Sequence, residues 1–256
     1  MPFTTVEFVL FVFSVLLIAA AGSIIYDYYS FESDREYQPD RPLPKAFFSL
    51  DTALYLHAVF AFLGIGIGFY LGYSAGNFKI GYLYVIAVVA LYVYAVYLKK
   101  IPLIGNFVIA SLMSFSIVLL MQFEATFLNT ISFEDSNYVL NMLLWQLKLY
   151  GGFMFLIVLA NEIVKDIVNK DGDDANHVNT LVVQFSEIAG KIAATLTLLI
   201  LVGGLAYFMQ LFLAENAIRE FVYLLVALVI PLLAVIVLLF LAKEKTQYKR
   251  ISILLK

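Results

Sequence analysis

Seven stretches of this chain are apolar for about as long as a helix needs to cross a bilayer, roughly 20 residues. They lie near 5–29, 50–73, 80–98, 102–128, 138–164, 190–213 and 220–242. The runs are continuously apolar and do not alternate over about ten residues. They therefore predict helices, which satisfy their own backbone hydrogen bonds, and not the strands of a barrel. The expected fold is all-α: one polytopic membrane domain over 1–256 with about seven transmembrane helices. The chain is 63% hydrophobic and only 14% charged, where a soluble domain holds about 25% charged residues. One water-facing core cannot hide that much apolar surface. The first run is too long for a signal peptide and has no basic flank before it. The absence of cysteine removes disulfides and thiolate metal sites, and a net charge of −3 without a basic stripe argues against a nucleic-acid partner.

Lysine and arginine set the expected orientation. If the chain starts outside, thirteen of its sixteen basic residues fall on inner segments: Arg35, Arg41, Lys45, Lys99, Lys100, Lys165, Lys170, Lys191, Lys243, Lys245, Lys249, Arg250 and Lys256. Outer segments hold Lys79 and Arg219, and Lys148 lies inside a run. Most of the many tyrosines and phenylalanines fit interfacial anchoring. The tail, Gln247 to Lys256, reads as an eighth span that begins and stops.

Two acidic stretches follow apolar runs, and both are expected to face the cytoplasm. One is Ala21 to Pro44, the other Ala160 to Asp173. They align in register at a constant offset of 139 residues, with Asp27 on Asp166, Ser30 on Asn169, Glu32 on Asp171 and Asp34 on Asp173. We read this as a duplication into two parallel pseudo-repeats, about 1–128 and 138–256. On a helix, Asp27, Ser30 and Asp34 share one face, as do Asp166, Asn169 and Asp173. Two such faces can meet across a shared cavity. Hard oxygen ligands of that kind suit Mg²⁺, which binds through one or two carboxylates plus substrate phosphates. A diphosphate is repelled by bare carboxylates, and interposed magnesium reverses that sign. The alternative is that the stretches are solvated acidic ends of two spans.

These residues resemble the motifs of the UbiA family of intramembrane prenyltransferases. That family carries Asn-Asp-x-x-Asp-x-x-x-Asp after its second helix and Asp-x-x-Asp-x-x-x-Asp after its sixth. Pro39-Asp40-Arg41-Pro42-Leu43-Pro44 is similar to a family segment. So are Tyr94 with Leu98 to Asn106, Glu162 to Ile167 with Gly172-Asp173, and Thr180-Leu181. The nearest flavour is the branch that attaches geranylgeranyl groups to a glycerol phosphate. The resemblance implies a Mg²⁺-dependent prenyltransferase, with a polyprenyl diphosphate as donor and a lipid or glycerol-phosphate-type acceptor. It places Asp27, Asp34, Asp166 and Asp173 as metal ligands. The diphosphate falls to the same four with Lys165 and Asn169. Tyr94 and Lys99 are the catalytic candidates, Tyr94 facing the allylic cation and Lys99 the phosphate oxygens. As inner-segment charges Lys99 and Lys165 need no such role, and Tyr94 can be a plain interfacial tyrosine.

The chain departs from the pattern. Tyr26 stands at the motif's asparagine, Ser30 at its second aspartate and Asn169 at the middle aspartate of the second motif. The first span matches the family's second helix and the last its eighth, so the family's first and last helices are expected to be missing. The alternative function is a catalytically degenerate relative that binds a prenyl lipid or a partner. A small transporter is a weaker third reading. Polar residues inside spans are expensive. His57 either lines the cavity or bonds a neighbouring helix, and Lys148 either snorkels or pairs with an acid. Glu187 and Lys191 are spaced to pair. Gly64, Gly66, Gly68 and Gly72 read as close helix packing.

Overall fold

A computed structural model describes residues 4–37, 49–128, 136–175 and 177–256. Among these residues seven helical spans are long and apolar enough to cross a membrane, as the runs predict. They are α1 (Thr5–Tyr37), α2 (Leu50–Ser74), α3 (Lys79–Val96), α4 (Ile104–Leu128) and α5 (Ser136–Ala175), followed, after the single-turn α6 (Leu181–Gln184), by α7 (Glu187–Ala214) and α8 (Ile218–Leu224) continuing into α9 (Ile230–Leu241). The fold is an all-α polytopic bundle, and the chain is an integral membrane protein. Its outer surface is apolar, with Val6, Phe62, Tyr138 and Leu241 each more than 60% exposed.

The chain divides into two compact units, residues 1–99 with 111–152 and residues 100–110 with 153–256. In the first, α1, α2 and α3 pack on one another. Phe11, Ile18, Leu71, Ile80, Tyr84, Leu119 and Phe123 form its core. Glycines on α2 set the approach. A Cβ on Gly64 would come within 2.7 Å of Ile18 Cγ1, and one on Gly68 within 2.5 Å of the Tyr84 ring. Gly64, Gly68 and Gly72 are four apart and lie on one face, where an added methyl would meet a neighbour. Gly66 lies off that face with nothing within 4 Å, so the packing role expected of it is not borne out. Tyr84 is fully buried, and Ser14 Oγ bonds its hydroxyl at 3.2 Å.

The second unit packs α5 from Ala160 onward against α7, α9 and α10 (Lys245–Leu254), with Ile163, Val164, Leu198, Leu201, Val235 and Leu239 in its core. A π-helical turn, Leu225–Val229, joins α8 to α9. Pro231 follows at the start of α9 and has no N–H to continue the ladder. The wider turn before it absorbs the mismatch without breaking the span. The tail, expected as the start of an eighth span, forms α10 instead. Its Tyr248, Ile251, Ser252 and Leu255 are buried. Ser252 Oγ donates to Asn161 Oδ1 at 2.7 Å, and Tyr248 Oη lies 2.5 Å from Glu187 Oε1 and 2.6 Å from the Ala242 carbonyl. Glu187 and Lys191 do pair, at 3.4 Å, and Lys191 Nζ also donates to the Ala242 carbonyl at 2.8 Å.

Candidate functional site

Both acidic stretches are helical over their described residues. α1 runs through Asp27, Ser30 and Asp34 to Tyr37, and α5 runs unbroken through Asp166, Asn169 and Asp173 to Ala175. The expected one-face spacing therefore stands on real helices. The Asp34 side chain, residue 176 and the segments 38–48 and 129–135 lie outside the described residues, and with them Pro39 to Pro44 and Lys45.

In the first unit Asp27 is half-buried near the end of α1's apolar run. The residue before it, Tyr26, stacks on Tyr94 of α3, with ring centroids 6.1 Å apart and planes within 14°. Lys99, in the single 3₁₀ turn Leu98–Lys100, places its ammonium 4.5 Å from the centre of the Tyr26 ring. Tyr94 and Lys99 thus come to one spot, beside the residue preceding Asp27. Tyr29 and Tyr92 share a hydrogen bond of 3.2 Å, and His57 Nδ1 bonds the Ala21 carbonyl at 2.9 Å. His57 therefore ties α2 to α1, the helix-bonding role of the two considered. Ser30 is buried and donates to the Tyr26 carbonyl of its own helix at 2.5 Å. At the position of the motif's second aspartate it is turned inward, not out towards a ligand.

In the second unit Asn106 is 8% exposed and its Nδ2 donates to Asp166 Oδ2 at 2.7 Å. Asn106 reaches that position through a corner. The Ile104 amide donates to the Pro102 carbonyl at 2.7 Å around Leu103, whose φ is +61°. A positive φ on leucine is a strained turn conformation that surrounding structure must hold in place. The first turn of α4 then presents Asn106, and Phe107 packs edge-on against Phe155 of α5 at 5.0 Å. Lys165 is engaged by Glu162 at 2.5 Å, one turn before it. Asn169 and Asp173 are half-buried on the same helix. Past α5 the chain turns at His177, φ +54°, and Thr180 caps α6 through its Oγ1 on the Val183 amide.

No group of three or more histidine, aspartate or glutamate side chains is placed to hold a metal among the described residues. A closed, all-protein cage is therefore not what they form. Carboxylates spaced along a helix face suit an ion such as Mg²⁺, which takes one or two carboxylates and completes its shell with phosphate and water. Asp27, Asp166 and Asp173 are the described residues that fit.

The profile of the UbiA prenyltransferase family matches residues 2–254. The chain belongs to that family. Among UbiA relatives, it is 32% identical over 197 residues to the digeranylgeranylglyceryl phosphate synthase of Sulfolobus acidocaldarius, covering 76% of this chain and 64% of that protein. To the synthase of the same name from Metallosphaera sedula it is 35% identical over 175 residues, covering 68% and 55%. The chain thus spans only part of the length of these relatives. Two solved structures share the fold. One is an apo UbiA homologue from Aeropyrum pernix K1, with a TM-score of 0.69, 15% identity, and 99% of this chain and 88% of that one covered. The other is a digeranylgeranylglyceryl phosphate synthase described in membranes, with a TM-score of 0.59, 23% identity, and 99% and 81% covered.

Asn106 is the residue that sequence reasoning named only as part of a loop. Nothing local announces that it bonds a side chain sixty positions away. Glu162 as the partner of Lys165 was available from the i, i+3 spacing alone.

Proposed function

We propose that this protein transfers a polyprenyl group from a prenyl diphosphate to a lipid or glycerol-phosphate-type acceptor, with Mg²⁺. The observation that carries the reading is Asp166 on a membrane-crossing helix, hydrogen-bonded by a buried asparagine, in a UbiA chain whose relatives are named for this transfer. Bound at the carboxylates, Mg²⁺ supplies the positive charge that lets a diphosphate approach and leave. Asp27, Asp166, Asp173 and, with its side chain undescribed, Asp34 are the proposed ligands, and the Asn169 amide N–H reaches the diphosphate. Lys99 and Lys165 face the phosphate oxygens. The allylic C–O bond breaks and its electron pair leaves with the diphosphate. The Tyr94 ring faces the allylic cation. The acceptor hydroxyl oxygen then attacks the allylic carbon and its proton passes to water.

The basic residues of the inner segments support an orientation with the acid-rich stretches towards the cytoplasm. The matched registers of those stretches support descent from two parallel repeats.

Membranes carrying the protein, given labelled geranylgeranyl diphosphate, Mg²⁺ and a glycerol-phosphate acceptor, should form a prenylated lipid. Chelation, Asp27→Ala and Asp166→Ala should each abolish it. Product that survives all three would refute the reading. The buried, inward-bonded Ser30 favours a second one, a relative that binds prenyl lipid without transferring it. It predicts lipid binding indifferent to chelation, and strict metal dependence would reject it.

A further inference from the structure

We propose that α10 is an interfacial helix whose outward face rests on anionic phospholipids of the membrane that the chain crosses. Its inward face is already taken. Tyr248, Ile251, Ser252 and Leu255, spaced i, i+3, i+4 and i+7, are buried against the second unit. Two bonds and a short connection fix the helix at one depth. Ser252 bonds Asn161, the first polar residue after the apolar run of α5. Tyr248 bonds Glu187, in the first turn of α7. α9 ends at Leu241, just before α10 begins at Lys245. The helix therefore meets three spans where each enters or leaves its apolar stretch, which is the level of the lipid headgroups.

The outward face has two components. Ile253 and Leu254 are each more than 60% exposed. Lys249, Arg250 and Lys256 are exposed around them, and Lys243 and Lys245 stand at the start of the helix. From Lys243 to Lys256 the chain carries five basic residues and one acid. That acid, Glu244, is turned back on its own helix, where it joins a capping box and accepts from Thr246 Oγ1 at 3.3 Å. A cluster of basic residues directly after a span, with apolar side chains among them, matches a layer of phosphate headgroups over acyl chains in both charge and depth. The long basic stems reach up to the phosphates while Ile253 and Leu254 dip past them. The contact gathers phosphate-headed lipid beside α5, because Asn161 lies one and a half turns, roughly 7.5 Å of helix, before Asp166. It holds whether or not the chain transfers a prenyl group.

The chain has no cysteine, so Ile253→Cys takes a single environment-sensitive fluorophore. The purified full chain is placed, one copy per disc, in nanodiscs of phosphatidylcholine with phosphatidylglycerol. A nitroxide high on the acyl chain of either lipid serves as the quencher. The label should be quenched by both nitroxide lipids and shielded from acrylamide in the water. The phosphatidylglycerol should be enriched beside it about fivefold over the phosphatidylcholine. The enrichment should drop below about twofold when Lys249→Gln and Arg250→Gln are added, and also at about 1 M salt, where the Debye length falls to ~3 Å. Arg219→Gln, at the other end of the α8–α9 span, removes a charge as well and should leave the enrichment unchanged. Leu254→Cys gives a second position for the label, and the salt arm needs no charge variant. A label open to acrylamide and untouched by the lipid nitroxides overturns the proposal. So does equal quenching by the two lipids, or an enrichment that survives both neutralisation and salt. A label shielded only with two copies per disc makes a second copy the occupant, and overturns it as well.

Discussion

Asn106→Leu tests the bond to Asp166 with little change in volume. The substitution removes the amide that bonds Asp166 while filling a similar space at a position 8% exposed. A hydrogen bond contributes about 0.5–1.5 kcal/mol net. This one is 2.7 Å long and its donor is buried, so the upper end, about 1.5 kcal/mol, applies. In a chain of this size that is a fall of roughly 3–6 °C in the melting midpoint. If the amide also fixes the direction of the carboxylate, the same energy appears as an approximately tenfold rise in the Mg²⁺ concentration needed for half-maximal turnover. The assay is thermal unfolding of the purified chain in detergent, paired with a Mg²⁺ titration of prenyl transfer. Asn161→Leu is the control. It breaks the 2.7 Å bond to Ser252 in the same unit and should lower the melting point while leaving the Mg²⁺ requirement unchanged. Asn106→Leu with wild-type melting and wild-type Mg²⁺ dependence would refute the argument. Equal Mg²⁺ shifts in both variants would reduce Asn106 to a structural residue.

Gly68→Ala drives a methyl to within 2.5 Å of the buried Tyr84 ring and should destabilise the first unit by about 1–3 kcal/mol, read as a lower thermal midpoint. Ser30→Asp restores a motif carboxylate on paper. It replaces a buried donor with a charge facing the Tyr26 carbonyl, and should reduce both folding yield and transfer activity. Tyr248 lies in the short terminal helix, where burial and then the neighbouring Glu187 carboxylate raise its pKa. In the unfolded chain tyrosine titrates near pH 10, so there the unfolded state loses its proton first. The contribution of the protonated hydroxyl is complete below about pH 10 and declines above it, and Tyr248→Phe should flatten that alkaline fall in the melting curve.

The helices were legible because the length of an apolar run is a local property. The helix faces of Asp27 and of Asp166, Asn169 and Asp173 were legible because a 3.6-residue period is local too. The i, i+4 rule also separates Gly64, Gly68 and Gly72 from Gly66, although composition alone groups all four. What could not be read is what tertiary structure makes. Asn106 and Asp166 are brought together by a corner at Leu103 whose positive φ no leucine announces. Tyr26 looks like a lost ligand in the motif, and nothing in its neighbours along the chain announces that Lys99 lies over its ring. Gln247 to Lys256 is apolar at one end and basic at the other. Its folding as a short helix with a buried face depends on Asn161 and Glu187, far away in the chain.

α5 continues without a break from Ser136 to Ala175, 40 residues. At 1.5 Å per residue that is a rod of roughly 60 Å, about twice the hydrocarbon thickness of a bilayer. A rod of that length cannot stand upright wholly within the hydrocarbon, so at least one end reaches past it. Charged residues are costly in lipid, and on this helix they crowd the last stretch, from Glu162 to Asp174. The surplus length thus carries acids towards the water boundary on ordered backbone, where a shorter helix would leave them on a loop.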